Sequence, residues 1–485
     1  MASVKYVSQE GLLAGATAIP DVPDAPTIGA ANNVGTSRAF NNGSATVAFT
    51  AAATGGTPAS YTATSTPGGF TASGAGSPLT VTGLQSATSY TFAVTGTNAS
   101  ATGPASSASS SITATTVPQA PTIGTATAGN ASATVAYTAN ATGGAAVSTF
   151  TAISSPGGLT GTGASPITVS GLTNGTAYTF TVTATNANGT SVASSASNSV
   201  SPVAPLPVVT GGTLTSDATY YYRTFTANDT LGISNATLTA DYVLVGGGGS
   251  GGASGVLDTS TFGGGGGGAG GYLYLASQSF AVNSYAIVIG GGGAGNSGFT
   301  SPNGSNGSDS TFNSQTASGG GKGAWRNAAS NGGSGGGGGG GGDIGNNSFF
   351  TTLYGSSTSG GNRGGSSTAT AGDWLEGGGG SGAGAVGSNA VQQGAGAGGN
   401  GLSPFGTYYA GGGAGGYKAG GSARTGASGG LGGGASSPSS SYAVGNNGTA
   451  NTGGGGSGAT AGSNLSGGNG GSGIVVVRYL KTAVA

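Results

Sequence analysis

Long runs of glycine constrain this chain more than any other feature of its sequence. Glycine makes up close to one residue in three of residues 206–485, with unbroken runs at Gly263–Gly268 and Gly335–Gly342. Such runs have no side chains to bury, and glycine loses more backbone entropy on folding than any other residue. If the runs are ordered, hydrogen bonds between the backbones of neighbouring segments must hold them.

Two common glycine-rich structures fit this pattern poorly. Collagen requires a strict Gly-X-Y period with abundant proline, and the runs break that period. A flexible linker is the second alternative, but strong strand patterns frame the runs at Asp241–Val245 and at Ile474–Tyr479. We therefore expect residues 206–485 to form an ordered domain of packed polyglycine-II-like helices framed by β-strands.

The first part of the chain contains an internal repeat. Val22–Gly29 returns as Val117–Gly124, and Ala45–Thr50 returns as Ala133–Thr138. Within each copy apolar residues alternate, which is the period of a strand with one buried face. The sequence therefore predicts an all-β protein that begins with two β-sandwiches in series, at residues 22–116 and 117–205.

The repeats also carry a family resemblance. Ser77–Leu84, followed by Tyr90–Val94 and Thr97–Ala99, resembles the second half of a fibronectin type III domain, and Ser165–Ala187 matches equally well. The resemblance implies a tyrosine corner in each sandwich, which locks the turn between two sheets. The corner residues would be Leu84 with Tyr90 and Leu172 with Tyr178.

One departure from that family concerns the core. The usual tryptophan of the early strands is absent, and Phe49 and Tyr137 stand at the nearest positions. We therefore expect smaller cores than the family usually has. Tandem sandwiches of this kind commonly act as spacers, so we predict that residues 22–204 form a spacer. Glycan binding by either sandwich is the alternative.

The glycine-rich part resembles the glycine-rich adhesin domains of tailed-bacteriophage fibres over about residues 211–480. The resemblance is carried by the order of several short elements: Tyr222–Thr226, Tyr242–Gly249, Gly266–Tyr272 with its echo Gly411–Tyr417, Ile287–Gly290, Ser310–Phe312 and Gly473–Tyr479. It implies a virion-surface protein, extracellular when functional, that binds a host-cell receptor. The recognition loops of that family vary between members, so no receptor contact can be transferred by motif.

Composition argues against several function classes. Only 4% of residues are charged, the net charge is -1, and the chain has no His and no Cys. Without basic clusters or long apolar stretches we expect neither nucleic-acid binding nor membrane insertion. The absence of the common general bases and thiol nucleophiles argues against an enzyme, and we expect no metal or cofactor. Asp373 and Glu376 beside Trp374 could form a glycosidase pair, but we interpret them as solvating a loop.

Aromatic and arginine side chains between the glycine runs are the candidates for receptor contact, because such residues often anchor interfaces. They could instead cap the glycine segments. The candidates are Trp325, Arg326, Phe349, Phe350, Tyr354, Trp374, Phe405, Tyr408 and Tyr409.

The N-terminal residues 1–21 lack sandwich patterning, and we interpret them as an attachment arm to other virion proteins. The expected receptor is a host cell-surface glycan or an outer-membrane protein, and the chain could also form homo-oligomers. The alternative function is a purely structural surface or filament subunit that assembles through the glycine-rich domain.

Overall fold

The computed structural model describes residues 21–257, 260–296, 304–324, 362–366, 368–370, 374–391, 394–418, 426–462 and 464–485. For residues 256, 257, 260–262, 368–370, 374 and 375 it describes the backbone alone. The chain divides into two compact units, Met1–Ala204 and Pro205–Ala485. Within the described residues no helix is long and apolar enough to cross a membrane.

The first sandwich of the N-terminal unit packs two sheets with strand orders β1-β2-β5 and β4-β3-β6-β7. Its core contains Val47, Val81 and Phe92, which come from both sheets and are almost fully buried. The strands are β1 (Thr27–Val34), β2 (Gly43–Thr50), β3 (Ser60–Thr66), β4 (Thr71–Gly74), β5 (Leu79–Leu84), β6 (Ser89–Thr97) and β7 (Ile112–Thr113).

The second sandwich repeats this arrangement, with strand orders β12-β9-β8 and β11-β10-β13-β14. Val135, Val169 and Phe180 lie in its core at positions equivalent to those of the first. The strands are β8 (Thr122–Ala128), β9 (Ser132–Thr138), β10 (Val147–Ser155), β11 (Thr160–Thr162), β12 (Ile167–Ser170), β13 (Thr179–Asn186) and β14 (Gly189–Thr190).

Both predicted tyrosine corners are confirmed. The amide of Gln85 donates to the hydroxyl oxygen of Tyr90 at 3.0 Å, and the amide of Thr173 donates to that of Tyr178 at 3.1 Å. An aromatic pair stands in each core where the tryptophan is missing. Phe49 lies 4.6 Å from Tyr61 between ring centroids in the first sandwich, and the corresponding pair in the second is 4.7 Å apart.

The C-terminal unit begins as a third two-layer β-structure. One sheet has the order β15-β18-β23-β24-β25 and the other the order β16-β17-β28-β19-β22, while β20, β21, β27 and β26 form a smaller sheet. The strands are β15 (Val208–Thr210), β16 (Thr213–Ser216), β17 (Tyr220–Phe225), β18 (Asp229–Ser234), β19 (Leu238–Val245), β20 (Gly255–Leu257), β21 (Ser260–Phe262), β22 (Tyr272–Phe280), β23 (Asn283–Val288), β24 (Ser310–Phe312), β25 (Gln315–Ala317), β26 (Thr368–Thr370), β27 (Trp374–Glu376) and β28 (Ile474–Leu480).

The core of this third structure is unusually aromatic for the chain. Tyr242, Phe280 and Phe312 meet at its centre, with ring centroids 4.8–6.0 Å apart. All three side chains are at most 1% exposed. The framing strands identified from the sequence, β19 and β28, pair antiparallel at the middle of their sheet. Together they provide a rigid base from which the glycine segments extend.

Glycine segments continue directly from the ends of these strands and pack against one another. We call this assembly the glycine lattice. It consists of the extended segments 246–254, 263–271, 290–295, 304–308, 318–324, 377–383, 396–401, 411–417, 453–461 and 467–473.

Hydrogen bonds in the lattice follow a three-residue alternation. The amides of Gly246, Gly247 and Gly248 donate to carbonyls in three different segments, at Gly271, Ser308 and Gly471. The next three amides return to the same segments in the same order, at Gly268, Ser305 and Gly468. The expectation that backbone hydrogen bonds between segments hold the glycine runs is therefore confirmed for the described segments, and the run Gly335–Gly342 lies outside them.

The prediction of polyglycine-II-like helices is wrong. The described part of the chain contains strands and one 3-10 turn, Lys481–Ala483, and no helix lies in the glycine segments. The lattice amides bond other segments, so the glycine segments lack the bonds within one segment that define an α-helix or a 3-10 helix. The broader prediction of an all-β protein agrees with the structure.

Candidate functional site

One face of the sheet β16-β17-β28-β19-β22 carries a cluster of polar and aromatic side chains. The side chains of the opposite face pack into the aromatic core. On the outer face, strand register places Arg478 of β28 opposite Tyr222 of β17 on one side and opposite Asp241 of β19 on the other. Arg478 donates from Nη2 to the Asp241 carboxylate at 2.5 Å and from Nε at 3.2 Å. This ion pair anchors the centre of the cluster.

A loop from the glycine lattice lies over this face. Its ends are joined by two backbone hydrogen bonds between Leu402 and Tyr409, of 2.9 and 3.1 Å. At its tip Phe405 packs over the Arg478 guanidinium, 4.3 Å from ring centroid to Cζ. The same ring meets Tyr222 and Tyr274 edge-on, with centroids 6.0 and 5.8 Å apart. Phe405 is thus clamped by three side chains of the sheet.

The two tyrosines at the end of this loop lie in different surroundings. Tyr408 is 46% exposed, whereas Tyr409 is 8% exposed and packs with Val243 and Val476 in a small apolar core beneath the loop. Burial raises the pKa of the Tyr409 hydroxyl above its usual value. Of this pair, Tyr408 is open to solvent, whereas Tyr409 packs beneath the loop and holds it in place.

A cleft of about 410 Å³ opens between the loop and the first two strands of the sheet. Its size lies within the range of small-ligand sites. Hydroxyl groups, one carboxylate and aromatic rings share its walls. The lining residues are Thr215, Ser216, Asp217, Tyr222, Thr224, Phe405, Thr407, Tyr409 and Val476.

Asp217 occupies the turn between β16 and β17 at the rim of this cleft. Its Oδ2 accepts a hydrogen bond of 2.6 Å from the Tyr222 hydroxyl, and its Oδ1 accepts bonds of 2.7 Å from the amides of Thr219 and Tyr220. These bonds, led by that from Tyr222, lower the pKa of Asp217 to about 2. The carboxylate is therefore charged and fixed in direction at neutral pH.

The remaining sequence-predicted contact residues are placed less completely. Trp374 lies on strand β27, where its backbone pairs with Thr370, and its side chain is outside the described residues. The predictions that fall entirely outside the described residues are Trp325, Arg326, Phe349, Phe350 and Tyr354. These assignments stay predictions, as does the attachment arm at residues 1–21, of which only Asp21 lies within the described residues.

Sequence reasoning did not single out Asp217, Asp241 or Arg478 as site residues. The available signal was Tyr222–Phe225, which served only as part of a family resemblance. Of the carboxylates that were weighed for catalysis, Asp373 lies outside the described residues. Glu376 is 1% exposed and accepts the Lys418 amide at 2.9 Å. Among the residues described, no group of three or more His, Cys, Asp or Glu side chains could hold a metal ion.

Comparison with known proteins gives a family match and matches to solved structures. The crystal structure of the chicken CNTN1 FN1–FN3 domains superimposes with a TM-score of 0.23 and 13% identity, covering 55% of this chain and 92% of that one. A TM-score this low does not establish a shared fold, so the fibronectin assignment depends on the sandwiches and their tyrosine corners. No curated protein matches the chain. The profile of the glycine-rich domain family matches residues 223–480, which is more than half of the chain, and the protein therefore belongs to that family.

Proposed function

We propose that this protein is a non-enzymatic adhesin of a tailed-bacteriophage virion, which binds a receptor on the host cell surface through its glycine-rich domain. The proposal is supported by the separation, within that domain, of a backbone scaffold from a surface of aromatic and polar side chains. Its lattice is built from backbone contacts, and aromatic and polar side chains gather instead on the loop Leu402–Tyr409 and the sheet face beneath it.

This division suits recognition for a physical reason. A site held on rigid elements loses little entropy when it binds, because its side chains are already ordered. Phe405 is held by Arg478, Tyr222 and Tyr274, while Tyr408 on the same loop stays exposed. Aromatic side chains presented in this way are typical anchors of interfaces. The tandem sandwiches then serve as a spacer.

The proposal is tested by attachment of the fluorescently labelled full-length chain to intact cells of candidate hosts, with cells of an unrelated bacterium for comparison. We expect saturable attachment to one host. Tyr408→Ala should weaken attachment at least fivefold and leave the melting temperature within about 1 °C, because the side chain is exposed. The matched control is Val282→Ala, an exposed apolar side chain of another turn, which should leave attachment unchanged.

The alternative function, a filament subunit, also has an observation in its favour. Gly291 lies on an exposed lattice segment with no atom within 4 Å of the position a Cβ would take. A free lattice edge of this kind could pair with a second copy. Light scattering separates the two functions, since a filament subunit would form open-ended assemblies and would show no preference among cell types.

A further inference from the structure

We infer that the cleft lined by Asp217, Tyr222, Phe405 and Thr407 is a binding site for a neutral saccharide. The inference rests on the proposed adhesin function and deepens it, because it selects a surface glycan as the receptor in place of an outer-membrane protein. The chemistry, shape and rigidity of the lining all favour a saccharide ligand.

The polar groups of the lining match the hydroxyls of a sugar. A sugar hydroxyl both donates and accepts hydrogen bonds, so it pairs well with carboxylates and with other hydroxyls. Asp217 supplies a charged acceptor, and charge-assisted hydrogen bonds are about twice as strong as neutral ones. Further hydroxyls come from Thr215, Ser216 and Thr407. The rim thus offers several convergent partners.

The charge of the cleft selects among saccharides. Asp217 is the one charged side chain in the lining as described. The guanidinium of Arg478 is paired with Asp241 and covered by Phe405. Lys481 contributes to lowering the pKa of Asp217, but its Nζ lies over the Tyr221 ring, 5.2 Å from the centroid. A phosphate or an acidic sugar would therefore meet an unfavourable charge, whereas a neutral sugar would not.

The aromatic part of the lining provides the apolar wall that a sugar ring also requires. Phe405, Tyr222 and Tyr409 line the cleft together with Val476. Ligand sites typically combine such an apolar wall with a few placed polar groups. A protein receptor is the less suitable occupant, because a stable protein interface is a broad surface of about 800 Å² on each partner, whereas these polar and aromatic groups converge on one concave cleft.

The lining is also preorganised. Three hydrogen bonds fix Asp217, and contacts with three sheet side chains fix Phe405. The ends of the loop that carries Phe405 and Thr407 are tied to each other by backbone bonds. Because these groups are already ordered, a weakly binding ligand such as a single sugar loses less affinity to ordering of the protein.

The test is saturation-transfer NMR and calorimetry on the full-length chain with methyl glycosides of glucose, galactose, mannose, rhamnose and N-acetylglucosamine. We expect at least one to bind. Asp217→Asn, Tyr222→Phe and Thr407→Val should each weaken that binding at least tenfold at nearly constant side-chain volume, because the first removes the charged acceptor and the other two each remove a hydroxyl.

Two matched controls separate binding from folding. Asp229→Asn changes a second exposed carboxylate that accepts turn amides, and Tyr285→Phe removes a hydroxyl that donates to the carbonyl of Ala281. Both lie away from the cleft and should leave saccharide binding unchanged. Melting curves of all five variants identify any that fail to fold, and the binding comparison uses those that melt like the parent chain.

The outcomes distinguish this inference from the proposed function. If host cells are bound but no glycoside binds, or if the cleft variants bind glycosides like the controls do, the saccharide site is wrong and the adhesin function stands. Attachment that is lost on protease treatment of the cells and unaffected by Asp217→Asn would identify a protein receptor instead. Glycoside binding without attachment to any host would contradict the adhesin function, but the saccharide site would stand.

Discussion

Alanine at Gly266 is the sharpest test of how the glycine lattice is held. A Cβ built on Gly266 would lie 2.1 Å from the carbonyl oxygen of Gly413 and 2.8 Å from the amide nitrogen of Gly380. Ordinary contact begins at about 3.4 Å, so the neighbouring segment must move by more than 1 Å. Gly266 does not have a left-handed backbone conformation, so the effect of alanine is purely steric.

The expected loss of stability follows from the hydrogen bonds in the path of that movement. They are Gly266 to Gly378 at 2.9 Å, Gly380 to Gly413 at 2.8 Å and Gly413 to Gly267 at 2.9 Å. Each buried group left without a partner costs about 1–3 kcal/mol, so loss of two of the three bonds, counted as one unpaired group each, destabilises by roughly 2–6 kcal/mol. In large domains each kcal/mol lowers the melting temperature by about 2–4 °C. We expect a drop of about 4–24 °C, measured by calorimetry.

The control for this substitution lies within the same lattice. A Cβ on Gly291 would meet no atom within 4 Å, so Gly291→Ala should be neutral or stabilise by about 0.5 kcal/mol through the unfolded chain. Equal melting temperatures for the two variants would refute the reasoning, since a flexible or loosely packed glycine domain would tolerate alanine at both positions.

Three further predictions concern other parts of the chain. Tyr90→Phe and Tyr178→Phe should each destabilise their sandwich by about 1 kcal/mol in urea unfolding, because a corner amide loses its partner; an unchanged midpoint would contradict a structural role. Deleting residues 117–204 should leave attachment of the isolated protein to host cells intact, and a loss would contradict the spacer role. The folded-state pKa of Asp217, about 2 against an ordinary 3.8, means that the unfolded chain takes up the proton first as pH falls. The stabilisation by Asp217 should therefore be present above about pH 4 and disappear towards pH 2. Asp217→Asn should flatten this part of the curve of unfolding free energy against pH. The control Asp229→Asn should not, because it leaves the Asp217 contribution in place.

Much of the fold could be predicted because its signals are local. Alternation such as Tyr90, Phe92 and Val94 predicts strands, and the repeat from Val22 to Val117 predicts two similar sandwiches. The glycine runs also indicated correctly that hydrogen bonds must pass between segments. They could not indicate the form of those segments, because without side chains nothing in the sequence distinguishes a helical rod from an extended one.

Most of the candidate site could not be predicted from the sequence, for a different reason. Tyr222 and Arg478 are opposite each other in the sheet although 256 positions separate them, and no spacing rule predicts that register. Phe405 could be selected as an aromatic residue between glycine runs, but its contact with Arg478 depends on where the lattice brings its loop. Asp217 could not be selected from the sequence, since its neighbours along the chain do not reveal the Tyr222 hydroxyl bond.

The three-residue alternation of hydrogen bonds restricts how the length of this protein can change. Successive amides of a segment such as 246–254 bond three different neighbouring segments in turn. One extra residue inside that segment would therefore direct every later amide towards the wrong neighbouring segment. Three extra residues would restore the phase at the expense of a longer segment than its neighbours. Loops between segments, such as the one that carries Phe405, face no such rule and can be lengthened or exchanged freely. The lattice therefore separates a length-restricted scaffold from length-tolerant loops, so a new binding surface can be introduced without altering the scaffold's hydrogen-bond register.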